Sequence, residues 1–288
     1  MAKLLKFNRQ KIEKLIEGDR KNEIRKYDLC GADLHGLDLS DIDLSAINLY
    51  NANLSYANLS HTNLSSANLS HANLCDVNLC NVNLSGADLR YADLFHANLS
   101  YAYLFHANLS YANLCDVNLC NVNLSGADLR EADLSGANLS CANLYGANLC
   151  NASLYGANLS VANLVEANLE GVKYDENTSF FALQCPEKGS FIGFKKANGY
   201  IVELKIPANA KRSSATSRKC RCSKAKVLSI TLLDGTDDGT TSVCSDRDPD
   251  FVYKIGKIVK VDDFDEDRWH ECSTGIHFFM TRNEAVKY

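Results

Sequence analysis

The sequence predicts a mainly β chain: a four-sided solenoid with a helical N-terminal cap before it and a C-terminal mixed α+β domain after it. Three observations carry this. A leucine stands at every fifth position from Leu29 to Leu169, 29 in a row without insertion or deletion. Residues 72–90 recur letter for letter at 112–130, a shift of 40. The period then stops at Gly171-Val172. A fixed period held over half a chain marks a repeat architecture. Period five fits neither an α-helix nor a simple strand, so the chain must turn a corner at regular intervals. Forty residues make two turns of a 20-residue, four-sided coil and no whole number of 15-residue triangular turns.

The first 27 residues carry nine Lys/Arg and four Asp/Glu. Ile12, Leu15 and Ile16 lie at helical spacing, and a basic amphipathic start can bind a membrane or nucleic acid. The simpler reading is the plug that a solenoid requires over its first coil. No apolar stretch reaches the length of a signal peptide or a membrane span, so no membrane partner is expected. Domain bounds of 1–27, 28–172 and 173–288 follow.

Within the repeat, the residue two before each leucine is Ala in 20 of 29 pentads, and mostly Val or Ile elsewhere. That pair belongs inside a narrow tube and the other three positions outside. Burying each Leu stabilises by roughly 1.5–3 kcal/mol, enough in sum to oppose a large ordering cost. A tube packed to native density holds no substrate, so any function of this segment lies on its exterior. At about 4.8 Å between coils the rod would be on the order of 35 Å long.

The frame A-[DN]-L-x-x, as in Ala52-Asn53-Leu54-Ser55-Tyr56 and Ala132-Asp133-Leu134-Ser135-Gly136, resembles the pentapeptide-repeat family. That resemblance implies a right-handed quadrilateral β-helix. It also implies one partner class, since some members bind DNA gyrase by imitating duplex DNA. Residues 173–288 resemble a domain appended to some bacterial members, through FALQCPEKGSFIGFKK, ATSRKCRCSKAKVL and ECSTGIHFF. That domain brings no assigned activity.

Charge density tests the mimicry. Between Asp28 and Gly171 there are 14 acidic residues against Arg90 and Arg130. Duplex DNA of the same length would carry on the order of 20 charges, one per 1.7 Å. The rod is acidic, but dilute. Asn outnumbers Asp 19 to eight just before the leucine, where backbone hydrogen bonding alone is wanted. Gyrase or another topoisomerase is therefore the second choice of partner. A protein of unknown identity comes first, and direct nucleic-acid binding is not expected.

Outward side chains 20 residues apart stack. Tyr91 and Tyr111 share a column with His71 and Glu131, and Phe95, Phe105, Tyr101 and Tyr103 complete an aromatic band at mid-rod. Stacking that reinforces the coil and a partner-binding patch both fit it. Tyr103 breaks the Asn/Asp position, which allows a local bulge. Of the twelve cysteines, Cys30, Cys75, Cys80, Cys115, Cys120 and Cys150 lie outward just after a leucine, as small fillers in place of serine. Cys75 and Cys115 are two coils apart, too far for a disulfide, and free thiols suit a cytoplasmic protein.

In the last domain, Ser190–Ile206 reads as a hairpin about Asn198-Gly199. Lys226–Leu233, Phe251–Val261 and Gly275–Phe279 are further strands, and Thr281-x-x-Glu284 opens a terminal helix. Val172, Phe180 and Phe181 are placed to cover Leu164 and Leu169 at the end of the rod. Lys211–Lys226 holds seven basic residues, Arg218 and Arg221 among them, beside small hydroxyls. It could grip phosphates, or be a solvated loop paired with the acidic stretches Asp234–Asp250 and Asp262–Glu271. Cys220, Cys222, Cys244, His270, Cys272 and His277 offer ligand types for zinc at poor spacing. Cys272 with His270 or His277 could be a nucleophile and base. Gly275–Phe279 reads more simply as a core strand with one satisfied histidine.

No cofactor, metal or catalytic residue is assigned. The expectation is a non-catalytic binding or scaffold protein, with an enzyme or ligand-binding activity in 173–288 as a further alternative. The interaction candidates are Tyr91, Tyr101, Tyr111, Phe95, Phe105, Arg218, Arg221 and His277.

Overall fold

The computed structural model describes residues 4–179, 181, 184–270 and 272–288. Phe180, one of the residues expected over the end of the rod, lies outside them. Two compact units run Met1–Ser179 and Phe180–Tyr288.

The first unit opens with α1 (Arg9–Glu17), whose N-cap Asn8 accepts a hydrogen bond from the Lys11 amide at 3.0 Å. A 3₁₀ turn follows over Lys21–Lys26. Ile12 and Ile24 are fully buried. From there the chain coils. Each Asn or Asp before a leucine bridges, in parallel, the residue 20 positions on, from Asp33↔Asn53 through Asn148↔Asn168. Four pentads therefore make one coil, as the 40-residue recurrence requires. The ladder runs past the leucine series, through Ser153↔Lys173 and Asn158↔Ser179.

One pentad shows why the repeat has its composition. Leu54 donates to Asn73 O and Tyr56 to Cys75 O on the next coil, Asn53 to Ala32 O on the previous one, and Ala57 closes the corner on Leu54 O. The remaining amide, Ser55, donates to the Asn53 side chain at 3.2 Å. All five amide groups are bonded, which the buried, edge-to-edge stacking of a solenoid demands. The corner residue takes positive φ, 59° at Tyr56 and 69° at Gly136. Left-handed backbone costs a non-glycine residue roughly 1–2 kcal/mol. The coil-to-coil bonds offset it.

The repeated leucines from Leu29 to Leu164 are at most 1% exposed, and the alanines two residues before them at most 5%. Thr62, the one threonine among the alanine positions, donates to Leu39 O at 2.7 Å. Leu169 is only half-buried. Tyr103 carries no bulge: it bridges Asn83 and Asn123 like its neighbours, because the coil-to-coil bonds run through the backbone.

Among the described residues the second unit holds nine short strands: β1 Phe191–Ala197, β2 Tyr200–Ile206, β3 Arg212–Ser214, β4 Cys220–Cys222, β5 Lys224–Leu232, β6 Ser242–Cys244, β7 Val252–Lys254, β8 Ile258–Lys260 and β9 Ile276–Phe278. They form three antiparallel sheets ordered β1-β2-β5-β8, β3-β4-β9 and β6-β7. The β1–β2 hairpin turns on Asn198 (φ 49°) and Gly199 (φ 82°), the positive pair that a type I′ turn needs. Phe251–Val261, expected as one strand, divides at Gly256 (φ 81°) into β7 and β8, which join different sheets. At Gly193 a Cβ would meet Phe278 Cδ2 at 2.5 Å, so β1 passes too close to β9 for any side chain there. α2 (Arg282–Lys287) ends the chain with the Thr281/Glu284 capping box formed in both directions.

Candidate functional site

On the rod, the outer surface begins with a ladder of side chains. Asn53 Nδ2 donates to Asp33 Oδ1 at 3.3 Å, Asn78 to Asn58 at 3.0 Å and Asn118 to Asn98 at 3.1 Å. Every step donates toward the N-terminus, so the first member of a column needs only to accept. Asp33, Asp38 and Asp43 hold those first places. Their second oxygens meet the N-terminal segment: Arg9 with Asp33 at 3.4 Å, Lys21 with Asp38 at 3.0 Å and Arg25 with Asp43 at 2.7 Å. Arg9 and Arg25 add bonds to the carbonyls of His35 and Ser45. Ser40 and Lys21 together hold the Asp38 carboxyl down to about 2.

Farther along, Arg90 and Arg130 clamp Asp88 and Asp128 at 2.7 and 2.6 Å. Burial, with a hydrogen bond to Asp93, pushes the Cys75 thiol up to about 11. The same pairing of burial and Asp133 takes Cys115 to about 12. These thiols are hydrogen-bonded to acids, beyond the filling role expected of them.

The aromatic candidates do not form one patch. His71, Tyr91 and Tyr111 stack face to face with centroids 5.0 Å apart, and Tyr50 meets His71 edge-on. Tyr91 and Tyr111 are 51% and 52% exposed. Tyr101, ten residues from each in a 20-residue coil, sits on the opposite side of the rod. Phe95 and Phe105 are likewise half a coil apart, each against its neighbouring histidine at 3.9 Å. The sequence band thus resolves into a stacked strip and separate aromatic groups.

In the second unit, Arg221 is corrected: it is 1% exposed and cannot serve on an interaction surface. Its guanidinium donates to the carbonyls of Asp265, Thr274 and Asp267 at 2.7–3.1 Å, binding the 264–274 loop to β4. Arg218 joins Glu284 of α2 at 2.7 Å and Gln184 at 3.0 Å. Lys211 pairs with Glu266, so the second acidic stretch does meet the basic segment. The first is bonded elsewhere, with Asp238 accepting from Tyr200 and Asp246 from the Asn198 amide. Arg212, unremarked in the sequence, donates to the carbonyls of Pro186, Gly189, Pro207, Ala208 and Ala210.

The six metal-ligand candidates do not converge. Among the described residues no cluster of three or more His, Cys, Asp or Glu could hold a metal. Cys220 hydrogen-bonds instead to Cys185, a buried partner that its sequence position did not signal. That bond lowers the Cys185 thiol and raises Cys220. His270 bonds to Asp265 at 3.1 Å. His277 and Cys272 line one cleft of about 660 Å³, whose walls also include Lys195, Lys219 and Arg247 but not Arg218.

Residues 28–65, 62–100, 97–136 and 137–173 match the family model described as Pentapeptide repeats (8 copies). The chain belongs to the pentapeptide-repeat family. Residues 181–285 match a Family of unknown function (DUF5758). No curated protein matches the chain. Among solved structures, the pentapeptide repeat protein Rfr23 from the cyanobacterium Cyanothece 51142 is 40% identical over 35% of this chain, with a TM-score of 0.21. The match spans 61% of Rfr23, less than two thirds of its length. HetL, a pentapeptide repeat protein involved in heterocyst differentiation regulation in Nostoc sp. strain PCC 7120, is 28% identical over 58% of this chain and 94% of its own, with a TM-score of 0.23. Full-length QnrB1, a plasmid-mediated fluoroquinolone resistance protein, is 20% identical over 51% of this chain and 93% of its own, at 0.22. Superpositions with TM-scores this low carry no functional inference.

Proposed function

We propose that the chain is a non-catalytic binding protein, a rigid solenoid that meets a protein partner on the His71–Tyr91–Tyr111 strip and presents the second unit as its own domain. The single observation behind this is the stacked strip on a rod whose interior is filled by leucine and alanine. A filled interior leaves the exterior to do the work, and contiguous exposed aromatic faces are what partner proteins bury. Residues 1–27 act as the helical cap, supported by the three ion pairs to the first coil. Twelve free thiols favour a cytoplasmic setting.

Mimicry of DNA toward a topoisomerase is the weaker reading. Asp33, Asp38, Asp43, Asp88 and Asp128 each carry a cation of the same chain, which thins an already dilute negative surface. A photo-crosslinking residue at position 91 or 111 of the full chain tests the proposal. It should trap one defined partner that position 101 does not trap. Equal trapping from both sides of the rod would overturn the strip as the contact.

A further inference from the structure

The four-stranded sheet of the second unit ends on an open edge. Its order is β1-β2-β5-β8, and β1 is engaged beyond the sheet through the Phe194↔Phe279 bridge. β8 pairs with β5 alone. Hydrogen bonding alternates along an antiparallel strand. Val261 donates to Ser223 O and Lys257 O accepts from Val227, so the odd-numbered residues of this stretch turn to β5. Ile258 and Lys260 then turn their amide and carbonyl groups outward, and among the described residues no other element takes them. Ile258 is 66% exposed.

One face of that sheet carries rows of lysine. Lys205 of β2 stands directly opposite Lys226 of β5, which in turn faces Ile258, and Lys224 stands opposite Lys260. Side chains two apart share a face, so Lys224, Lys226, Ile258 and Lys260 point away from the buried Ala225 and Val259. Like charges directly opposite each other destabilise a sheet. Lys205, Lys224 and Lys226 have no ion pair among the described residues. Lys260 reaches Asp262 at 2.9 Å, and Glu203, on the same face, accepts from Ser229 at 2.8 Å. Four lysines therefore stand against two carboxylates. A second copy of the chain at this edge would add the same lysines to the junction, whereas a strand bearing carboxylates would neutralise them. We propose that the open edge of β8 takes an acidic, extended segment of a partner protein as a fifth strand, with carboxylates on the lysine face and aliphatic residues on the side of Val259. Main-chain bonds to Ile258 and Lys260 supply affinity, and the lysine rows select the charge. This edge is separate from the aromatic strip on the rod.

Fluorescence polarisation of a labelled short peptide alternating glutamate with valine, titrated with the full chain, tests this. The peptide should bind saturably, and its counterpart with lysine for glutamate should not. N-methylation of the peptide at the amides that face β8 should weaken binding by about tenfold or more, since it removes main-chain bonds and keeps the charge. Lys226→Glu should weaken binding as much while urea unfolding shows no loss of stability, because a carboxylate opposite Lys205 turns a repulsion into an attraction. Lys11→Glu, on α1, should leave binding unchanged. No saturable binding at millimolar concentration would overturn the proposal. So would undiminished binding of the N-methylated peptide or by Lys226→Glu, or tighter binding of a DNA duplex or of phosphatidylserine vesicles than of the peptide.

Discussion

Asn78 donates through Nδ2 to Asn58 Oδ1, 3.0 Å away on the preceding coil, while its own Oδ1 accepts the Cys80 amide at 3.2 Å. One side chain thus closes its own turn and ties two coils, which only an amide can do. A carboxylate at the same place keeps the first bond, loses the second and sets negative oxygen against Asn58 Oδ1. Asn78→Asp should destabilise the rod by about 1–3 kcal/mol. The repulsion raises the new carboxyl above its unfolded value, so the loss grows as pH rises through the carboxylate range. Urea unfolding at pH 3 and pH 7 checks this. Equal stability at both would show that the ladder's direction is irrelevant.

The first-coil aspartates invert that logic. The Asp38 carboxyl is held at about 2 by Ser40 and Lys21, and Asp43 is lowered by Ser45 and Arg25. A depressed carboxyl stabilises the folded state above its unfolded value of about 3.9 and loses that effect as pH falls through the folded one. Between about pH 4 and pH 2, amides of the Lys21–Lys26 turn should lose hydrogen-exchange protection before those of Leu94 and Leu99. Protection of that turn that persists to pH 2 would rule out these pairs as its anchor.

Cys75 and Cys115 should resist alkylation. Their thiols are raised to about 11 and about 12 by burial and by Asp93 and Asp133, so the reactive thiolate is scarce at pH 8. Exposed Cys30 and Cys141 should be labelled first by iodoacetamide, as mass spectrometry of the intact chain would show. Asp93→Asn should speed the labelling of Cys75 alone. Uniform labelling of all four would contradict the thiol–acid pairing.

Supercoiling by purified gyrase should be unaffected at micromolar protein, because the rod's carboxylates are dilute and partly ion-paired. Potent inhibition that disappears in Asp88→Asn with Asp93→Asn would restore the mimicry reading.

The repeat was legible because one constraint acts identically at every leucine, and the letter-for-letter recurrence counted the sides. The hairpin at Asn198-Gly199 and the box at Thr281 were legible for the same reason: each rests on local backbone chemistry. β3, β4 and β6 were not, since three residues hold no period. Arg221 and Arg212 read as surface charge, yet both serve loop carbonyls brought near only by the fold. Tyr91 and Tyr101 looked like one band in sequence because linear proximity hides a half-turn. The clue to the ion pairs of the N-terminal segment lay in Asp33, Asp38 and Asp43, whose meaning depends on which way the amide ladder donates.

Whether the stacked strip is the rod's contact surface is decided by the affinity of the partner trapped from position 91, measured against wild type, Tyr91→Ser with Tyr111→Ser, and Tyr101→Ser. The double variant should bind about tenfold or more weakly, as loss of paired aromatic anchors does, and Tyr101→Ser should bind like wild type. Undiminished binding by the double variant, with its rod still folded, would contradict the account.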